Sequence, residues 1–286
     1  MVHTLQLPVP VHRASWLARH PLSAFFGWFF TVGQAFAFAP LVFDTGVPPQ
    51  FFIIGSSVFG LLLPALVLTR IADGPDALRG LLRSFVDWRV SLRWYAMALL
   101  VVPAVSMALA VLLLGVPEDV PATLAAVFVV QLAFTLVPNN WAEEGVWSGF
   151  VQARLQNRHG PVLAALIVGP LFALQHVALA VSNPPAVAAI LMIGLAVVAT
   201  PYRFLTGWIW NRTGSLLLLG LVHGAGNAAA PGSGFGHGGV LRHLYPADYT
   251  TVGVFHLLAF FLVGLVVVAA TRGRLGLPTQ HKELTK

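Results

Sequence analysis

Five residues in this chain combine reactive side chains with an apolar setting. Glu143 and Glu144 stand side by side in Trp141-Ala-Glu-Glu-Gly-Val-Trp-Ser-Gly149, His176 follows Phe172 by four residues, and His223 precedes Asn227 by four. An ionised carboxylate held inside hydrocarbon costs several kcal/mol, so acids kept there point to a use. A carboxylate and an imidazole can take a proton from water, while a second imidazole and an amide donate to a developing oxyanion. Those are the groups needed to hydrolyse an amide bond.

Other chemistries fit less well. Ser148 is not set in a GxSxG elbow, and no HExxH zinc motif occurs. The chain has no cysteine, which removes disulfides, thiolate metal sites and cysteine nucleophiles. A divalent metal at Glu143, His176 and His223 stays open at this point, and so does a proton relay through Glu143, Glu144 and His176 in a transporter. Related halves would favour a transporter, and no convincing internal repeat is visible. His237 and His243, in and just after the glycine-rich run 232–239, are weak metal candidates, and that run reads as a flexible loop.

The elements that must position these groups are membrane helices. Of 286 residues, 57% are hydrophobic and only 9% charged, with mean hydropathy +0.82. A soluble domain carries about 25% charged residues, so too few remain here to cover a water-facing surface. The expected fold is all-α: one polytopic membrane domain, 1–286, of about eight transmembrane helices. The spans read as 21–43, 51–69, 94–114, 121–156, 161–181, 186–202, 213–230 and 251–270. Residues 1–20 form an N-terminal tail that does not resemble a secretory signal, residues 272–286 form a C-terminal tail, and 121–230 form the motif-bearing core. The fourth span is too long for one crossing and contains Pro138, which predicts a kink. Leu78, Leu81, Leu82 and Phe85 give 70–93 an amphipathic helix, either lying on the membrane surface or packed on the protein.

The net charge is +6, and all of the Lys and Arg residues except Arg242, which stands against Asp248 on the opposite side, fall at 13–19, 70–93, 154–158, 203–212 and 272–286. With eight spans these segments share one side, which predicts cytoplasmic N and C termini. The basic residues read as topology signals rather than a nucleic-acid surface; membrane lipid and a peptide or protein chain are the expected partners. From the basic ends, at about 1.5 Å per residue, Glu143, His176, His223 and Asn227 all lie roughly 15 to 22 Å deep. Glu143 and Glu144 project about 100° apart on a helix, so at most one points squarely at a shared centre. Gly145 with Gly149, and Gly220 with Gly224, allow close helix packing beside them.

Glu143-Glu144 followed by Gly149, Phe172-xxx-His176, and His223-xxx-Asn227 resemble, in order and on three spans, the motifs of the CPBP (Abi) family. That family comprises CAAX-type prenyl-protein endopeptidases and bacteriocin-processing or immunity proteins. The resemblance covers about 141–230, including Arg212-Thr-Gly-Ser215 ahead of the third motif. It implies an intramembrane glutamic endopeptidase of a bacterial cytoplasmic membrane, without a metal cofactor, acting on a membrane-associated substrate that is prenylated or not. By the same resemblance, Glu143 and His176 activate water, His223 and Asn227 stabilise the oxyanion, and Glu144 orients a histidine or braces the site. A non-proteolytic relative serving in immunity or as a scaffold is the alternative. The family's first motif reads EExxxR, and its arginine position here is Ser148. Glu144 therefore lacks its expected counter-charge, and Ser148 or Asn140 are the candidate replacement donors.

Overall fold

The computed structural model describes residues 15–44, 46–232 and 238–277, and within them it is helical, with no strand. The outer parts of both tails, 1–14 and 278–286, and His237 lie outside the described residues. Helix α1 (Pro21–Val42) and α2 (Pro49–Ala72) are long and apolar. Helix α3 (Gly74–Phe85) is the amphipathic segment, and α4 (Leu92–Leu114) crosses next. Helix α5 runs over 124–159 without leaving helical geometry. Helix α6 (Pro161–Leu174) is followed by the short α7 (Val177–Val181), then by the long α8 (Pro185–Thr213). Helices α9 (Leu216–Ala229), α10 (Val240–Leu244) and α11 (Tyr249–Ala270) complete the chain.

Helices α1, α2, α4, α8 and α11 are long and apolar enough to cross a bilayer, and three shorter apolar helices accompany them: Leu124–Thr135 at the start of α5, then α6 and α9. The protein is an integral membrane protein of the expected class. Its surface is apolar where a soluble protein's would be polar: Leu112, Ile190 and Val266 are exposed, while Glu144 and Arg203 are completely buried. The reactive residues sit in or next to these short helices: His223 and Asn227 in α9, His176 just past the end of α6, and Glu143 and Glu144 in the part of α5 that follows Leu124–Thr135. Fourteen residues of α6 or α9 rise about 21 Å, short of the roughly 30 Å of a hydrocarbon core. Neither helix therefore spans a hydrocarbon core alone, and non-helical backbone at membrane depth is tolerated only in protein or along a cavity.

Local signals explain the turns. Gly160 (φ +77°) and Gly214 (φ +65°) take the left-handed backbone that closes α5 and α8, and Pro161 opens α6. Ser215 caps α9 by accepting from the Leu218 amide at 3.3 Å.

Three details differ from expectation or decide between options. Helix α3 does not lie free on the surface: the Phe85 ring occupies the space beside Gly145 and the Leu81 side chain sits against Gly149. The first of the expected close-packing glycine pairs thus admits side chains rather than a neighbouring backbone. The fifth span breaks at 175–176. The sixth does not end at 202: α8 continues to Thr213, so 203–212 is helix rather than a basic connection.

Candidate functional site

Helix α5 presents Glu143 and Glu144 from a single α-helical stretch, Trp141–Val146, between two π-helical turns at Leu136–Asn140 and Trp147–Gln152. A π turn shifts the hydrogen-bond register by one residue, and such turns recur at functional sites. The first contains Pro138, which has no amide hydrogen to give an α-helical bond. The position at which a kink was expected is this π turn. Asn139 and Asn140 follow it: Asn139 Oδ1 accepts from the Ser57 hydroxyl of α2, and Asn140 Nδ2 donates to Glu143 Oε2 at 3.4 Å.

Glu143 is held on its other oxygen by Gln175, whose Nε2 donates to Oε1. The Trp147 indole donates to Gln175 Oε1 at 2.6 Å. An indole nitrogen can only donate, so it takes the amide's oxygen end and leaves the amide NH2 for the carboxylate. Gln175 lies at the break after α6, next to His176.

Glu144 faces away from the cavity, into protein. Arg203 of α8 meets it with both arms, NH2 to Oε1 at 2.8 Å and NH1 to Oε2 at 2.9 Å. Tyr202 donates its hydroxyl to Oε1 at 2.8 Å and Ser148 donates to Oε2 at 2.8 Å. Arg203 NH1 also reaches Ser148 Oγ at 3.3 Å. The guanidinium stacks over the rings of Phe172 and Tyr202, 4.4 Å from each centroid, so Phe172 supports the cation as well as lying beside His176. This corrects two expectations. Arg203 is an internal counter-ion, not a loop charge, and the missing motif arginine is replaced by one from a different helix, with Ser148 as an auxiliary donor. Two close backbone approaches set Arg203 in place. Gly169 of α6 lets the Thr200 backbone in, and Gly264 of α11 lets Pro201 in, just before Tyr202-Arg203.

His223 of α9 joins the two carboxylates. Its Nδ1 is 3.1 Å from Glu144 Oε1 and 3.6 Å from Glu143 Oε2. One glutamate faces the cavity and the other faces Arg203, as their 100° separation demands, yet both reach this imidazole. Asn227, one turn on, donates through Nδ2 to Asn140 Oδ1 at 3.1 Å. That leaves the second hydrogen of the amide nitrogen available. His176 sits at the break between α6 and α7 with its Nδ1 3.2 Å from the Phe172 carbonyl. A carbonyl oxygen only accepts, so this nitrogen donates and Nε2 keeps its lone pair.

Glu143, Gln175, His176, Tyr202, His223 and Asn227 line one cavity of about 340 Å³. Glu144, Ser148 and Arg203 are buried behind it. The arrangement thus has a front row able to meet a substrate and a sealed rear row that fixes His223. Among the described residues no three His, Asp or Glu side chains are grouped so as to hold a metal ion. His243 spends its Nδ1 on the Gly239 carbonyl at 3.0 Å.

Sequence reasoning missed Gln175, Tyr202 and Arg203. Two signals were present. Gln175 adjoins His176 in an apolar run, and between Pro201 and Gly214 the single Gly207 is the one weak helix breaker, so nothing in that segment required a loop.

Residues 125–229 match the family model of the Rce1-like type II CAAX prenyl endopeptidases. The match agrees with the family resemblance read from the motifs, and its span contains every residue of the front and rear rows. No curated protein and no solved structure matches the chain.

Proposed function

We propose that this protein is an intramembrane endopeptidase that hydrolyses a peptide bond of a membrane-associated, prenylated substrate with water activated by Glu143 and His176. The observation that carries this reading is the convergence of Glu143, His176, His223 and Asn227, from three helical segments, on one cavity among membrane helices. The match over 125–229 to a family of CAAX prenyl endopeptidases supplies the reaction class.

The chemistry follows from what each group has left to offer. Glu143 and the free Nε2 of His176 take a proton from a water molecule. The resulting hydroxide adds to the carbonyl carbon, and the C=O electron pair moves onto oxygen. The unspent N–H of Asn227 donates to that oxyanion, as does Nε2 of His223 in its imidazolium form. The proton then passes to the leaving amine as the C–N bond breaks. Gln175 and Asn140 hold Glu143 in position. Glu144, clamped by Arg203, Tyr202 and Ser148, holds His223 from behind. The mechanism requires no metal. The basic segments at 154–158 and at Arg212 support cytoplasmic termini, and a bacterial cytoplasmic membrane is the proposed location.

The test is cleavage of farnesylated and unmodified peptides by purified protein in lipid, read by mass spectrometry, with Glu143→Gln and chelator-treated protein in parallel. Products from wild type that survive the chelator and vanish in Glu143→Gln are expected. Identical product lists from wild type and Glu143→Gln would sink the assignment.

A further inference from the structure

The cavity has a second polar wall that the mechanism does not use. His256 of α11 lines it together with Phe260, on the same cavity as Glu143 and His176, and His256 is only 5% exposed. Its Nδ1 lies 2.9 Å from Ser106 Oγ of α4, and Ser106 is fully buried. The Ser106 hydroxyl donates its single hydrogen to the Val102 carbonyl at 2.9 Å. The oxygen is then an acceptor towards the imidazole. Nδ1 therefore carries the proton, and Nε2 carries a lone pair. Ring contacts tie His256 to the reactive centre: His256 to Phe260 at 5.1 Å, Phe260 to Tyr202 at 5.2 Å, and Tyr202 to His223 at 5.4 Å. His256 is thus no farther from His223 than roughly five residues of extended chain, at about 3.4 Å per residue.

Because His256 lines the cavity, a chain bound there that displaces water from Nε2 must supply a donor in its place or leave a polar atom unpaired. Several other polar groups around the cavity are tied to one another, Gln175 to Glu143, Asn227 to Asn140 and Tyr202 to Glu144, while Nε2 of His176 and the second N–H of Asn227 are given to the reaction in the mechanism above. Among the described hydrogen bonds His256 has one partner, on its far nitrogen. What an apolar-walled cavity with such an acceptor receives is an apolar chain bearing an N–H group. Extended peptide backbone supplies one at every residue except proline.

We propose that His256 is a substrate-binding residue, whose Nε2 accepts a hydrogen bond from a backbone N–H of the bound peptide away from the scissile bond. The proposal rests on the peptidase reading above. Ser106 acts through His256 by fixing its ring and tautomer, and Phe260 holds the ring edge-on.

Two substitutions separate this role from simple helix packing. Asn at 256 keeps a polar atom near Nδ1, facing Ser106, and deletes the cavity-side atom. Gln keeps an acceptor near Nε2 and gives up the Ser106 contact. The probe is a fluorescent farnesylated peptide ending in a Cys-aliphatic-aliphatic-X sequence, together with its singly N-methylated versions. Binding is measured in the Glu143→Gln background, so that no cleavage is needed. His256→Asn should weaken binding about tenfold with an unchanged melting midpoint, and His256→Gln should keep most of the affinity. One N-methylated peptide should bind poorly to the parent and no worse than the unmethylated peptide to His256→Asn. Equal affinity of the His256→Asn variant and its parent, or N-methylation penalties that are the same in both, would overturn the proposal. Peptides that bind neither protein would overturn the peptide reading itself, and this one with it.

Discussion

The replacement of the motif arginine by Arg203 can be tested quantitatively. In Arg203→Met, Glu144 keeps the Ser148 and Tyr202 hydroxyls and His223, but loses two charge-assisted hydrogen bonds and the Arg203 guanidinium. Each such bond is worth about 1.5 to 3 kcal/mol. Removing one partner of a buried ion pair costs about 3 to 5 kcal/mol, because the other charge stays buried. The two routes agree on roughly 3 to 5 kcal/mol, or about two to four powers of ten in the folding equilibrium at 1.4 kcal/mol per power. SDS titration in mixed micelles reads this as an earlier unfolding midpoint. Glu144→Gln in the Arg203→Met background removes the stranded charge and should recover most of the lost stability, yet peptide cleavage should stay low because His223 has lost its anchor. Ser148→Arg in the same background returns a cation to the next turn of α5, at a side chain whose hydroxyl now lies 3.3 Å from Arg203 NH1; it should restore both stability and cleavage in part. An Arg203→Met protein that unfolds at the wild-type midpoint would refute the reasoning, as would a double variant with Glu144→Gln that is no more stable than Arg203→Met alone.

Gln175→Leu should lower kcat for peptide cleavage by about 10- to 100-fold with a change in melting midpoint of only a few degrees, since it releases Glu143 from one of its donors; an unchanged kcat would remove Gln175 from the site. Gly145→Ala drives a methyl group into the Phe85 ring and should destabilise by about 1 to 3 kcal/mol. Adding Phe85→Ala should relieve that cost, and SDS titration of the single and double variants decides it. Asn227→Leu should lower kcat by about 10²- to 10³-fold with little effect on KM, as expected of an oxyanion donor; a change in KM alone would assign it to substrate binding.

The reactive residues were legible because the bilayer makes polarity rare and conspicuous. Glu143, Glu144, His176, His223 and Asn227 stand out against apolar runs, and the His223-xxx-Asn227 spacing alone sets two side chains on one face of α9. The number of apolar elements was legible for the same reason. What sequence could not assign was partnership between helices. A helical period tells which residues share a face, so a missing arginine at 148 is visible as a gap beside Glu144. It does not tell which other helix supplies the replacement, because that depends on how α8 is pressed between α6 and α11 at Gly169 and Gly264. Arg203 was misread on sound general grounds. A charge at the end of an apolar run is usually a loop charge, and only burial against a carboxylate makes it otherwise. Gln175 was passed over for the opposite reason: a neutral amide carries no charge to draw notice, and its importance arises from the break in α6 that turns it towards Glu143. Both errors concern groups whose role is set by tertiary contact, and both correct the site in the same direction. Glu143 and Glu144, adjacent in sequence, are held by different partners, one poised at a cavity and one locked in an ion pair. That division lets two acids sit in the membrane with only one exposed to chemistry.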